Sequence, residues 1–304
     1  MRELAHRLGP YWSVQRYVAN VEQSAALEAR RLRQGEREAP MLVLPWFRDD
    51  WANERKIAAG VEPLLTHAPF EEAARQLFDL PVVVPKLVYI NLNPPLPAAD
   101  QGHVDVPAFV GMDRTRYPIW WLTTMLRSGL FDDWHIPCAT AVAWFYEGEG
   151  GGFKYWPQGP DQAPSRRDCQ HNTALVGDND RMFHCIERVG AQGQGALMGL
   201  SLDSQLRWRE DHWQVFEDER EIGRYEDGAV RISLSWKALL FESEEARLSA
   251  ERGEGGLRLQ QVVEAFVEDL RGKGTRIQPP DAPLSDPDFT AALTDAYAIP
   301  LRHR

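Results

Sequence analysis

Between Pro81 and Phe241 the chain reads as a series of short strands broken by turn residues, with no linker-like segment dividing them. PVVVPKLVYINLN, starting at Pro81, is β-branched, and ATAVAWFYEG runs from Ala139 to Gly148. FKYWP resumes extended structure after the flexible EGEGGGF turn. NTALVGDND, from Asn172 to Asp180, and MFHCIERV supply two more strands. GAVRISLSWKALLF, from Gly228 to Phe241, is the strongest strand signal in the chain. Many short strands with Gly/Pro turns predict a double-sheet jelly roll. Helical periodicity flanks this centre. Val21 to Leu32 and Pro69 to Phe78 precede it. SEEARLSAERG, LRLQQVVEAFVEDLRGKG and a last short helix beyond QPPDAPLSDP come after it. The expectation is a mainly β fold with flanking helices, in a single domain over residues 1–304. It comprises a helical N-terminal part (1–80), the jelly-roll core (81–241) and a helical C-terminal part (242–304).

The chain's 304 residues suffice for a sizeable core. A net charge of -11 repels polyanions, so nucleic acid is not an expected partner. Arg30 to Arg37 is interrupted by Glu36 and reads as a solvated helix face. There is no apolar run of signal-peptide or membrane-spanning length. Cys138, Cys169 and Cys185 are odd in number and form no CxxC pair, which points to a reducing cytoplasm. Eleven Trp is a high count, and suits the walls of a small-molecule pocket as well as a core.

Chemistry concentrates in three places. QGHVDVPAFVG holds His103 and Asp105, whose i and i+2 spacing puts both side chains on one face of a strand. Two His and one carboxylate on one face of an octahedron form the ligand set of many non-haem iron(II) enzymes. An HxD by itself is common, so its weight depends on partners later in the chain. His184, in GDNDRMFHCIERV, opens a strand 79 residues after Asp105 (184 minus 105). It reads either as a third ligand or as a core histidine bonded to a backbone carbonyl. Arg231 and Ser233 share one face of the strongest strand. A guanidinium on an inner face is costly unless it meets an anion, and it matches a carboxylate bidentately. A structural ion pair is the alternative.

HxD, then His, then Arg-x-Ser, each on an expected strand, resembles the iron(II)/2-oxoglutarate-dependent dioxygenase superfamily over Pro81 to Phe241. The resemblance implies a double-stranded β-helix core. It also implies Fe(II) held by His103, Asp105 and His184, with O2 as a reactant. Arg231 and Ser233 would hold the distal carboxylate of 2-oxoglutarate. Tyr89 and Asn91 would sit near the cosubstrate, and Phe109, Trp120, Trp121, Phe153, Tyr155 and Trp156 are candidates for the substrate wall. The reaction implied is hydroxylation of an unactivated C–H bond, or desaturation or cyclisation, with succinate and CO2 as coproducts. Retention of Asp105 disfavours halogenation, for which relatives carry a small residue there.

One departure concerns the anchor. The gap from His184 to Arg231 is 47 residues (231 minus 184), longer than in many members. Either the hairpin around HWQVFEDEREIGRYEDGAV is inserted, or Arg188 or Arg207 serves instead. Glu147 to Gly152 reads as a lid edge or a plain hairpin loop. Two other readings remain: a cupin-type metalloenzyme that does not use 2-oxoglutarate, and a non-catalytic jelly-roll binding protein. The expected substrate is a small molecule, such as an amino-acid-derived or other natural-product intermediate.

Overall fold

The computed structural model describes residues 1–14, 44–96 and 102–297. The helix expected over Val21 to Leu32 and the face from Arg30 to Arg37 lie outside the described residues. In chain order the elements are α1 (Arg2–Leu8), β1 (Tyr11–Ser13), β2 (Phe47–Ala52), α2 (Glu62–Leu65), α3 (Ala68–Phe78), β3 (Val82–Asn93), β4 (Ala108–Phe109), α4 (Ile119–Ser128), β5 (His135–Ile136), β6 (Cys138–Phe145), β7 (Phe153–Trp156), β8 (Ser165–Arg167), β9 (Thr173–Gly177), β10 (Phe183–Ile186), β11 (Gln205–Arg209), β12 (His212–Glu217), β13 (Arg220–Tyr225), β14 (Arg231–Phe241), α5 (Glu244–Glu251), α6 (Leu259–Gly272) and α7 (Pro287–Tyr297).

The large antiparallel sheet has the order β13-β12-β11-β1-β2-β3-β14-β6-β9. β14 lies between β3 and β6 and alternates in character. Ile232, Leu234, Trp236, Ala238 and Leu240 face the main hydrophobic core, with Ala5 of α1 and Ala74 of α3. Arg231, Ser233, Ser235 and Lys237 occupy the opposite face. There the small sheet β10-β7-β8 covers it. Phe153 of β7 meets Trp144 of β6 with ring centroids 6.0 Å apart. The two layers form a mainly β fold with a jelly-roll core. A second core joins the apolar stripe of α6 (Val262, Val263, Phe266, Val267, Leu270) to α4 and α7. Among the described residues no helix is long and apolar enough to cross a membrane.

One feature departs from expectation: the N-terminal part is not purely helical, because β1 and β2 extend the sheet beyond β3. The 47-residue gap holds the hairpin named for it, β12 paired with β13, and with β11 this hairpin builds one edge of the same sheet. α1 is fastened across this extension. Arg2 Nη1 and His6 Nε2 both reach Asp227 Oδ1, at 2.7 and 2.9 Å, and Trp213 Nε1 donates to the same oxygen at 2.9 Å.

Candidate metal centre

His103 does not sit on a continuous strand. It forms one isolated bridge with His184, each N–H donating to the other's carbonyl at 2.9 Å. Asp105 comes next in irregular extended chain, and its N–H donates to Asn179 O at 2.7 Å. These contacts replace the strand pairing that was expected. They bring one ligand atom from each of His103, Asp105 and His184 within 4.8 Å of one another. Asp105 Oδ1 is 3.9 Å from His184 Nε2.

His184 Nδ1 lies 2.9 Å from Met182 O. A carbonyl only accepts, so Nδ1 carries the proton and Nε2 presents its lone pair to the triad. Burial drives the His184 pKa down to about 4, and neighbouring His103 adds to this. The ring is therefore neutral, the form that ligates a metal. Burial alone would raise the Asp105 carboxyl. The Lys237 ammonium, with His184 and His103, more than offsets that and holds it well below the usual carboxylate range. Lys237 Nζ donates to Asp105 Oδ2 at 2.8 Å, and Thr140 Oγ1 approaches the same oxygen at 3.4 Å. The donor set, two imidazoles and one ionised carboxylate, suits a divalent iron ion.

Arg231 is buried, and among the described residues it makes no ion pair with a carboxylate. Its Nε donates to Gly151 O at 2.8 Å and Nη1 to Ser233 Oγ at 2.9 Å, with Asn93 Oδ1 at 3.4 Å. Nη2 has no hydrogen-bond partner among the described residues, and neither has the neighbouring Asn93 Nδ2. Both orphaned atoms are donors, so what they lack is an acceptor. Burial lowers the Arg231 pKa, partly offset by the Cys169 thiol alongside the guanidinium. A carboxylate fits this pocket by charge and by hydrogen-bond count.

The other candidates are distributed unevenly. Tyr89 and Asn91 lie opposite Ser235 and Ser233 in the register of β3 and β14. The Arg48 guanidinium stacks over Tyr89 at 3.6 Å, and Asn91 Oδ1 accepts from Trp46 Nε1 at 2.9 Å. Phe153 packs 5.4 Å from the His184 ring, and Tyr155 stacks on Phe153 at 5.9 Å. Trp156 meets Phe183 at 5.4 Å. Phe109, Trp120 and Trp121 are members of the second core. Arg188 pairs with Glu149 at 2.9 Å. Arg207, on β11, pairs with Glu219 at 3.5 Å and lies three strands from β3. The Glu147 to Gly152 run is tied to the chain after β10, with Gly151 N–H donating to Arg188 O at 2.6 Å and Gly190 N–H to Glu149 O at 2.9 Å.

Sequence reasoning missed Lys237, Thr140 and Asn93. The signal for Lys237 and Asn93 was strand parity: Lys237 alternates in step with Arg231 and Ser233, and Asn93 in step with Tyr89 and Asn91. Thr140 carries no signal of its own, because only the pairing of β6 with β14 places it opposite Lys237.

The chain is similar in structure to an oxidoreductase of the 2OG-Fe(II) oxygenase family from Burkholderia pseudomallei. That likeness has 14% identity and a TM-score of 0.36, and covers 80% of this chain and 89% of the other. It is also similar to a Pseudomonas putida prolyl-4-hydroxylase, at 14% identity and a TM-score of 0.32, covering 76% of this chain and 92% of the other. By sequence, no family model and no curated protein matches the chain.

Proposed function

We propose that this protein is a non-haem iron(II) and 2-oxoglutarate-dependent oxygenase acting on an unactivated C–H bond of a small molecule. The observation that carries the reading is the pairing of two subsites along one strand. Lys237, midway along β14 on its inner face, touches the ligand triad. Arg231, at the start of the strand, presents orphaned donors. Both side chains stand on the same face of one strand, and the guanidinium bends along it to Ser233, towards Lys237. A dicarboxylate with one end on a metal at the triad and the other on the guanidinium would bridge the two.

In this reading His103, Asp105 and His184 hold Fe(II), and Arg231, Ser233 and Asn93 bind the distal carboxylate of 2-oxoglutarate. Bound together with O2, these groups supply the oxidant for hydroxylation, desaturation or cyclisation, with succinate and CO2 as coproducts. Phe153 and Tyr155, beside His184, exclude water and orient the substrate. Asp105 occupies the position a halide would need, which disfavours halogenation. An amino-acid-derived or other natural-product intermediate is the proposed kind of substrate, and the cytoplasm the proposed setting.

The test is succinate formation from 2-oxoglutarate under oxygen with added Fe(II). Wild type is expected to turn over, while His103→Ala and Asp105→Ala are expected to lose all of it. A protein that binds iron but forms no succinate would instead be a cupin-type metalloenzyme whose Arg231 holds a substrate carboxylate. A protein that binds neither iron nor 2-oxoglutarate would be a binding protein without this chemistry.

A further inference from the structure

Lys237 projects from an interior strand of the large sheet, with β3 on one side and β6 on the other. Its register partner on β6 is Thr140. These two adjacent side chains aim at one atom, Asp105 Oδ2, at 2.8 and 3.4 Å. The other oxygen, Oδ1, faces His184 Nε2 at 3.9 Å. The Asp105 backbone is itself pinned by its N–H bond to Asn179 O. The carboxylate therefore cannot rotate without breaking a charge-assisted hydrogen bond.

We infer that Lys237 is a positioning residue that makes Asp105 a one-oxygen ligand, by occupying Oδ2 and leaving Oδ1 alone for the metal. The inference rests on the metal reading above. A carboxylate with both oxygens available can chelate a divalent ion through both, and would then fill a position needed by a chelating cosubstrate. The ammonium on Oδ2 prevents that second contact. Lys237 thus keeps the coordination sphere open without itself touching the metal.

The experiment titrates the metal-free full chain with Co(II), read by its visible d–d absorption, and then adds 2-oxoglutarate. The wild type, Lys237→Arg and Lys237→Met are compared. Lys237→Met is expected to bind Co(II) with a weaker, shifted d–d band, as an added carboxylate oxygen would cause. Its affinity for 2-oxoglutarate should fall about tenfold, the scale on which partners of metal ligands act. Lys237→Arg, which retains a cationic donor, is expected to restore the wild-type band. A purely charge-balancing role would change the melting temperature and leave the band in place. A Lys237→Met spectrum and 2-oxoglutarate affinity equal to wild type would therefore overturn the inference while leaving the metal site intact. Failure of the wild type to bind Co(II) would remove the metal reading and the inference with it. Should Lys237→Met not fold, Lys237→Gln keeps an uncharged donor and is expected to shift the same band by a smaller amount. An unshifted band there would equally overturn the inference.

Discussion

Arg231 Nε donates to the carbonyl of Gly151 at 2.8 Å, so the first residue of β14 is held by the glycine run that precedes β7. Gly151 adopts φ +73, and a Cβ built there would lie 2.8 Å from Arg231 Cδ. Gly151→Ala is therefore expected to strain the loop and displace the guanidinium. A cost of about 1–2 kcal/mol would raise the KM for 2-oxoglutarate roughly tenfold. Co(II) binding at the triad should be unchanged. Equal loss of both would show that Gly151 supports the whole site and not the anchor alone.

Arg231→Met separates function from stability. The wild-type guanidinium is buried with no carboxylate partner among the described residues, and its bonds run to the neutral oxygens of Gly151, Ser233 and Asn93. In the variant the loss of these bonds is set against relief of a buried charge without a counter-ion. The variant is expected to fold and to melt within a few degrees of the wild type. It should lose 2-oxoglutarate binding by roughly a hundredfold, as expected when two charge-assisted hydrogen bonds disappear. A large drop in melting temperature would mean that Arg231 is a structural element of the two-layered core.

The depressed pKa of His184 sets a pH dependence for the metal-free protein. Its ordinary value is 6.5 and its folded value about 4. Between these the unfolded chain binds the proton and the folded chain does not, so stability falls as pH drops through that interval. The loss is a few kcal/mol at most, at about 1.4 kcal/mol per pH unit. Asp105, also held low, adds its own loss only at still lower pH. Melting curves of metal-free wild type from pH 7 to 4 should show the decline, and His184→Asn should flatten it. A wild-type curve that is already flat would contradict the buried neutral imidazole.

Asp227 joins α1 to the far part of the sheet by accepting from Arg2, His6 and Trp213. Asp227→Ala strands these donors and is expected to cost about 2 kcal/mol. The melting temperature should fall by several degrees, with succinate formation per folded molecule unchanged. Loss of activity in step with stability would tie α1 to the site.

The parts of this fold legible from the sequence are those whose signal is local. β3, β6, β7, β9, β10 and β14, and α3, α5, α6 and α7, each carry their own periodicity or capping residues, such as Pro69 in the first turn of α3 and the Ser243 cap of α5. β2, FRDDWA, has no such pattern, because Arg48 and Asp50 face the pocket side and pair with each other at 2.8 Å. The HxD was expected on a strand, whereas its geometry comes from a single bridge to His184 more than eighty residues away. Arg231 could be singled out because a charge in a buried strand demands an explanation. Lys237 met the same criterion, yet its partner Asp105 is 132 residues distant and no local rule connects them.

β14 carries both Arg231 and Lys237 on one uninterrupted inner face, clamped on either side by β3 and β6. The two cations are therefore spaced by the pitch of a single strand. Moving the arginine by one position would turn it to the opposite face, and moving it by two would shift it about 6.6 Å along the strand. Asp105 and the two histidines come to Lys237 from other segments of the chain, so the strand sets where the two positive charges stand and those segments set what meets them.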